Sequence, residues 1–170
     1  MKKFIIFLFF FSSFEISYAD NKIAYIDINN ILNNSIVGKS ISLHINNIKE
    51  KKNDEFSLLE NQLLKKEEDI IKKKNIIEKN EFEKQVDLLK KEIDDYTNQR
   101  KIFDKEIEEK KIKYTKIVLN SLNKIIAKYV EENSISLVFP KKNIIIAKKN
   151  LDITSIIMEL LNNELKQINF

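Results

Sequence analysis

The chain has 170 residues, of which 33% are charged and 43% hydrophobic, with one glycine, one proline, one histidine, no cysteine and a formal net charge of +4. These counts exclude a disulfide framework, a thiol nucleophile and a glycine-rich phosphate loop, and so mild a basic excess does not point to nucleic acid. So even a mixture of lysine and acidic residues suits solvated helices laced with ion pairs.

Residues 1–19 carry Lys2 and Lys3, an apolar run over 4–11, and the small residues Ser17 and Ala19 ahead of Asp20, which reads as a cleaved Sec signal peptide. Loss of Lys2, Lys3 and Glu15 leaves 28 basic and 25 acidic residues in a mature chain starting near Asp20, a net charge of +3. No later stretch reaches the roughly 20 apolar residues of a membrane span.

Residues 22–28 are apolar on both alternating faces, Ile23 and Tyr25 against Ala24 and Ile26, and predict a buried strand. Residues 29–37 predict one or two helical turns, with Gly38 expected to absorb an unusual backbone angle after them. A long helix is predicted from Lys39 or Ser40, its apolar positions running Ile41, Ile45, Ile48, slipping near Lys52, and resuming at Phe56, Leu59, Leu63, Ile70 and Ile77. The chain is expected to reverse at a tip near residues 74–80. An unbroken rod would be about 140 Å long and would leave both apolar stripes uncovered.

The returning helix is predicted over residues 81–132. Its seam follows a heptad rhythm through Phe82, Val86, Leu89, Ile93, Tyr96, Phe103, Ile107, Tyr114 and Ile117, interrupted by Arg100 and Lys110, which are expected to loosen it. Beyond Ile117 the apolar set widens to Val118, Leu119, Leu122, Ile125, Ile126, Tyr129 and Val130, so this end enters a real core. Residues 135–139 and 143–147 predict two strands joined through Pro140, Lys141 and Lys142, and Asp152 is the expected N-cap of a last helix over 153–166.

The fold class is therefore α+β, mostly α: residues 39–117 form a long antiparallel coiled-coil hairpin arm, and residues 20–38 and 118–170 form a small body. Ile23, Tyr25, Ile26, Leu137, Val138, Phe139, Ile144, Ile145 and Ile146 are its expected β residues. Three short strands and one short helix make a core too small to stand comfortably alone, so copies are expected to share it.

No catalytic constellation is found, and no enzyme, metal or cofactor is expected. His44 has no Cys or carboxylate cluster beside it, and the acidic runs at Glu67, Glu68 and Asp69 and at Glu106, Glu108 and Glu109 alternate with lysines on solvated faces. Two binding features remain. Lys65, Lys66, Lys72, Lys73, Lys74 and Lys79 cluster around the tip, as a contact for an anionic surface or acidic segments, or as a solubilising cap. Phe56, Phe82, Tyr96, Phe103 and Tyr114 lie along the hairpin, packed in its seam or facing a cavity.

The order of a Lys22-Ile23-Ala24-Tyr25-Ile26-Asp27 strand, a charged helical hairpin, the 135–139 and 143–147 segments and the Asp152-Ile153-Thr154 helix start resembles the Skp/OmpH family of periplasmic chaperones over essentially the whole mature chain. That resemblance implies a homotrimer whose strands close a small β-barrel-like body, with three arms projecting around a cavity like a jellyfish. It further implies periplasmic, ATP-independent holding of unfolded outer-membrane β-barrel proteins, and a contact with anionic lipid or lipopolysaccharide. No lipopolysaccharide motif of the family can be matched residue by residue here. The residues alone also admit a coiled-coil envelope scaffold or spacer that is no chaperone.

Overall fold

The structure, a computed structural model, describes residues 22–170; the expected signal peptide lies outside the described residues. Strand β1 (Lys22–Ile26) is followed by a short helix α1 (Ile28–Asn34), the long helices α2 (Ile36–Lys73) and α3 (Lys79–Glu132), strand β2 (Ile135–Pro140) and helix α4 (Thr154–Glu164). Single 3-10 turns at Lys141–Asn143 and Lys149–Leu151 lie between β2 and α4.

β1 and β2 pair in parallel, which two strands can do only when a long crossover separates them. Here the crossover is the whole of α1, α2 and α3. A bulge inserts one residue between Ile135 and Leu137, so Ile135 and Val138, three apart, both pack against the core; without it they would face opposite sides. Ala24, Tyr25 and Ile26 are buried, in keeping with the apolar character of both faces of this strand. The far edge of β1 meets the segment before α4, where the Ile153 amide donates to the Tyr25 carbonyl at 3.0 Å. β2 has no second strand on its outer edge among the described residues.

The core sits where α1, the start of α2, the end of α3 and α4 converge, around Ile31, Val37, Val118, Leu122, Ile157 and Leu161. Polar ties fix the convergence. Asp27 Oδ1 caps α1 by accepting from the Asn30 amide at 2.9 Å, while the Asp27 amide donates to Thr154 Oγ1 at 2.9 Å. Asn162 Oδ1 accepts from the Ile36 amide at 2.7 Å. Helix α4 therefore holds the entries of both α1 and α2.

Two expectations at the first junction are corrected. Helix α2 begins at Ile36, because Ser35 leaves the helical conformation (ψ 159°) and its buried hydroxyl accepts from the Gly38 amide at 3.2 Å. Gly38 lies inside the first turn with no left-handed angle; it serves close approach instead, since a Cβ there would collide with the Leu32 carbonyl. The left-handed residue is Ser134 (φ 53°), just past the end of α3. Gly38→Ala is accordingly expected to destabilise the base by about 2–3 kcal/mol although alanine is the better helix former. Urea unfolding checks this, and a gain in stability would mean that α1 can shift aside.

The C-terminal third holds a further correction. Residues 143–147 form no strand: Asn143 closes a 3-10 turn, and Ile145 and Ile146 are 98% and 90% exposed. The segment does not pair with β2, whose outer edge stays open in the single chain. Helix α4 runs from Thr154 to Glu164, not 153–166, and its N-cap is Ile153, not the expected Asp152, which lies one residue earlier with Oδ1 accepting from the Thr154 amide at 3.0 Å.

Partial burial would push the Asp152 carboxyl up, but hydrogen bonding from Thr154 and the Lys141 ammonium at 3.5 Å outweigh it and hold the group below its ordinary range. A lowered native pKa gives stability that is present above the unfolded value and lost as pH falls through the native one. Asp152→Asn is thus expected to lower stability near neutrality by about 1 kcal/mol and to lose that effect below about pH 4. Thermal unfolding across pH reads this, and an equal deficit at both ends would contradict it.

Candidate functional site

The 38 residues of α2 and 54 of α3 span about 57 and 80 Å, far beyond the core at one end. Lys66 meets Glu92 at 2.6 Å, Tyr96 reaches Glu60 at 3.3 Å, and Phe56 lies against both Tyr96 and Phe103, so the chain doubles back between Lys73 and Lys79.

Of the heptad residues, Leu89, Ile107 and Tyr114 are buried, Phe82, Val86, Tyr96, Phe103 and Ile117 are half-buried, and Ile93 is 41% exposed. The seam is thin because only two ridges meet; a lone pair of helices cannot enclose a large side chain all round. Away from the base core, which takes in Ile107 and Tyr114, the most enclosed is Phe56, 2% exposed. Tyr96 and Phe103 stand edge-on to it with centroids at 5.9 and 5.8 Å, and Lys52 Nζ and the Arg100 guanidinium each lie 5.3 Å from its ring centre. Arg100 also donates to the Tyr96 hydroxyl at 3.1 Å. The expected gap at Arg100 is therefore a lid on an aromatic knot, since a guanidinium stacks on ring faces where an ammonium or carboxylate would not fit as well.

Outside the seam the arm keeps large apolar side chains in water: Leu58, Leu64, Ile71, Ile76, Leu88, Ile102 and Ile112 are all at least half exposed. Charged and polar residues stand between these positions, several of which come as consecutive apolar pairs such as Leu58-Leu59 and Leu63-Leu64. At the tip, Lys66 is engaged with Glu92, Lys72 with Glu68 and Asp69, and Lys79 with Glu83. Lys65, Lys73 and Lys74 have no ion pair among the described residues. Half of the lysine cluster is thus paired: Lys72 and Lys79 with carboxylates three or four residues away on their own helix, which spacing along the chain shows, and Lys66 with Glu92 of the other helix, which it does not.

On the body, Ile23 pairs with Leu137 and Tyr25 with Phe139, which puts all four on one face of the sheet. Tyr25 is buried, whereas Ile23, Leu137 and Phe139 are 45%, 54% and 43% exposed. Ile26 and Val138 turn to the opposite, core side, and Ile144 is half-buried. The open outer edge of β2 and the isoleucines at 145 and 146 belong to the same end of the molecule as this face. The one histidine, His44, lies half-buried at the base of the arm beside Tyr114. Among the described residues no three metal-ligating side chains gather, and every buried side-chain nitrogen or oxygen has a partner.

A parallel two-stranded base, a convergence of four helices and a two-helix arm with exposed apolar residues make up the described fold. A family model described as outer membrane protein (OmpH-like) matches residues 22–161, and the chain belongs to that family. A solved structure from Caulobacter crescentus CB15, carried under the provisional description of an outer membrane chaperone (OmpH-like), superposes with a TM-score of 0.78 at 20% identity. The match covers 87% of this chain and 88% of that one. Among curated proteins there is no match.

Proposed function

We propose that this chain is an ATP-independent, non-enzymatic holdase of the periplasm, acting as a homotrimer that keeps unfolded outer-membrane β-barrel proteins from aggregating before insertion. The observation that carries this reading is the arm's scatter of exposed Leu and Ile among charges. An unfolded client has no fixed shape, so it is best held by many small contacts that can re-form elsewhere and that release it piecemeal. Each such side chain is worth about 1.5–3 kcal/mol only when wholly buried, and partial cover by a mobile client leaves every contact weak. Charged neighbours keep the empty arm soluble.

Trimer formation is supported by what a single chain leaves unfinished. The β2 edge is open, and Ile23, Leu137, Phe139, Ile145 and Ile146 lie in water beside it. Strands from three copies closing a common barrel would cover all of these together. The tip lysines Lys65, Lys73 and Lys74 are a second proposed contact, for acidic client segments or an anionic lipid or lipopolysaccharide surface. Family membership and the chaperone description of the Caulobacter protein support the same reading.

Diluting a urea-unfolded porin into buffer with and without the protein tests the proposal by light scattering. Suppressed aggregation at one trimer per porin, without nucleotide, is expected, and binding through the tip lysines would weaken as salt is added. An inert protein that binds one native envelope partner tightly would instead be a scaffold.

A further inference from the structure

Beyond the end of α4 the chain turns back across the base of the arm. The Leu165 amide donates to the Leu161 carbonyl at 2.7 Å, and after that no hydrogen bond holds residues 166–170 among the described residues. Two side chains hold the segment down. Ile168 enters the core, 8% exposed, and the Phe170 ring lies flat on His44 with centroids 3.9 Å apart and planes 10° apart. The same ring stands edge-on to Tyr114 at 5.4 Å, and His44 and Tyr114 are themselves nearly perpendicular at 6.0 Å.

These two residues, one from α2 and one from α3, thus make a corner with one flat wall and one edge, the two arrangements in which aromatic rings attract a third ring. The Tyr114 wall is rigid because that residue is buried in the core, whereas the ring seated in the corner is 51% exposed and tethered by a segment with no backbone bonds. We propose that His44 and Tyr114 form an aromatic-binding slot for Phe or Tyr side chains of unfolded clients, and that residues 165–170 are a strap that competes for it from within the chain. The slot rests on the holdase reading for its natural ligand, although its chemistry does not. A client ring displaces Phe170 on nearly equal terms, so the slot is closed when the arms are empty and exchanges one ring for another when they fill.

The single histidine makes the exchange visible by proton NMR of the full-length mature protein. In the wild type Phe170 is expected to hold the His44 ring protons upfield, and in Phe170→Ala that shift is expected to vanish. Millimolar N-acetyl-phenylalaninamide is expected to restore it, and N-acetyl-leucinamide is not. Phe170→Ala is also expected to bind unfolded porin about three- to tenfold more tightly, as removal of an internal competitor requires. The gain should be absent in the double variant His44→Ala with Phe170→Ala, which separates the slot from a general loosening of the base. A His44 signal that ignores the aromatic amide, or a gain that survives loss of His44, overturns the proposal. Should porin bind neither variant, the holdase reading fails, and the amide titration still decides whether the slot exists.

Discussion

Phe56→Ala is expected to remove about 3–5 kcal/mol of arm stability while leaving the base folded. Between the base core and the tip only Phe56 and Leu89 are buried among the described residues, and Phe56 alone is enclosed on all sides. Truncation would leave a cavity, strip Tyr96 and Phe103 of their shared partner, and remove the ring beneath Lys52 and Arg100, with Arg100 keeping only Tyr96. No neighbouring element can collapse into the space, because the arm is only two helices thick, and the site sits near the severe end of such substitutions. Hydrogen exchange mapped by mass spectrometry reads the result. Protection over residues 56–103 should fall by about a hundredfold or more, while residues 118–130 keep theirs. A uniform fall along the chain would mean that arm and base unfold as one unit, contrary to the division of packing described above.

The second large effect concerns the body. Replacing Ile145 and Ile146 together by aspartate should weaken assembly by at least about a thousandfold, because two side chains each worth about 1.5–3 kcal/mol on burial become charges that resist it. The pair is informative because both positions are already in water in the single chain. Aspartate there takes nothing from the fold of one subunit, so a loss of mass in solution reports the contact between copies and not a damaged core. Unchanged assembly would move the interface elsewhere, with the exposed face of Ile23, Leu137 and Phe139 the next surface to test.

The parts of this molecule that were legible in its sequence are those governed by one repeating rule. The heptad rhythm from Phe82 to Ile117 and the widening apolar set from Val118 onward describe where α3 has a narrow seam and where it has a full core, because helical periodicity maps directly onto burial. Of the strand Lys22–Ile26, apolar on both alternating faces, Ala24, Tyr25 and Ile26 are buried as expected, while Lys22 and Ile23 stay exposed. What was not legible depends on a partner in another helix. Gly38 is required by the Leu32 carbonyl of a separate helix, Arg100 is drawn over Phe56 from the opposite strand of the hairpin, and Lys66 is neutralised by Glu92. None of these has a local signature. Ser35 does carry a local signature, since a serine ahead of an apolar run is a common cap, and the Gly38 amide three residues later is its partner.

The 143–147 segment fails for a different reason. Its residues have the composition of a strand, and composition alone cannot state which edge a strand will join. In one chain β2 is the last strand, and the isoleucines beyond it face solvent. The aromatic corner under Phe170 was equally invisible, because His44, Tyr114 and Phe170 are brought together only by tertiary folding. A lone histidine on a helix offers no hint that two rings converge on it.

The central claim, a base completed only by sharing between copies and arms that hold an unfolded chain, is tested most directly by light-scattering mass on the purified mature protein, alone and after addition of one unfolded porin. Three subunits per particle at micromolar concentration, rising by one porin mass on mixing, is the expected result. A folded single subunit at that concentration, with no mass gained from the porin, would contradict it.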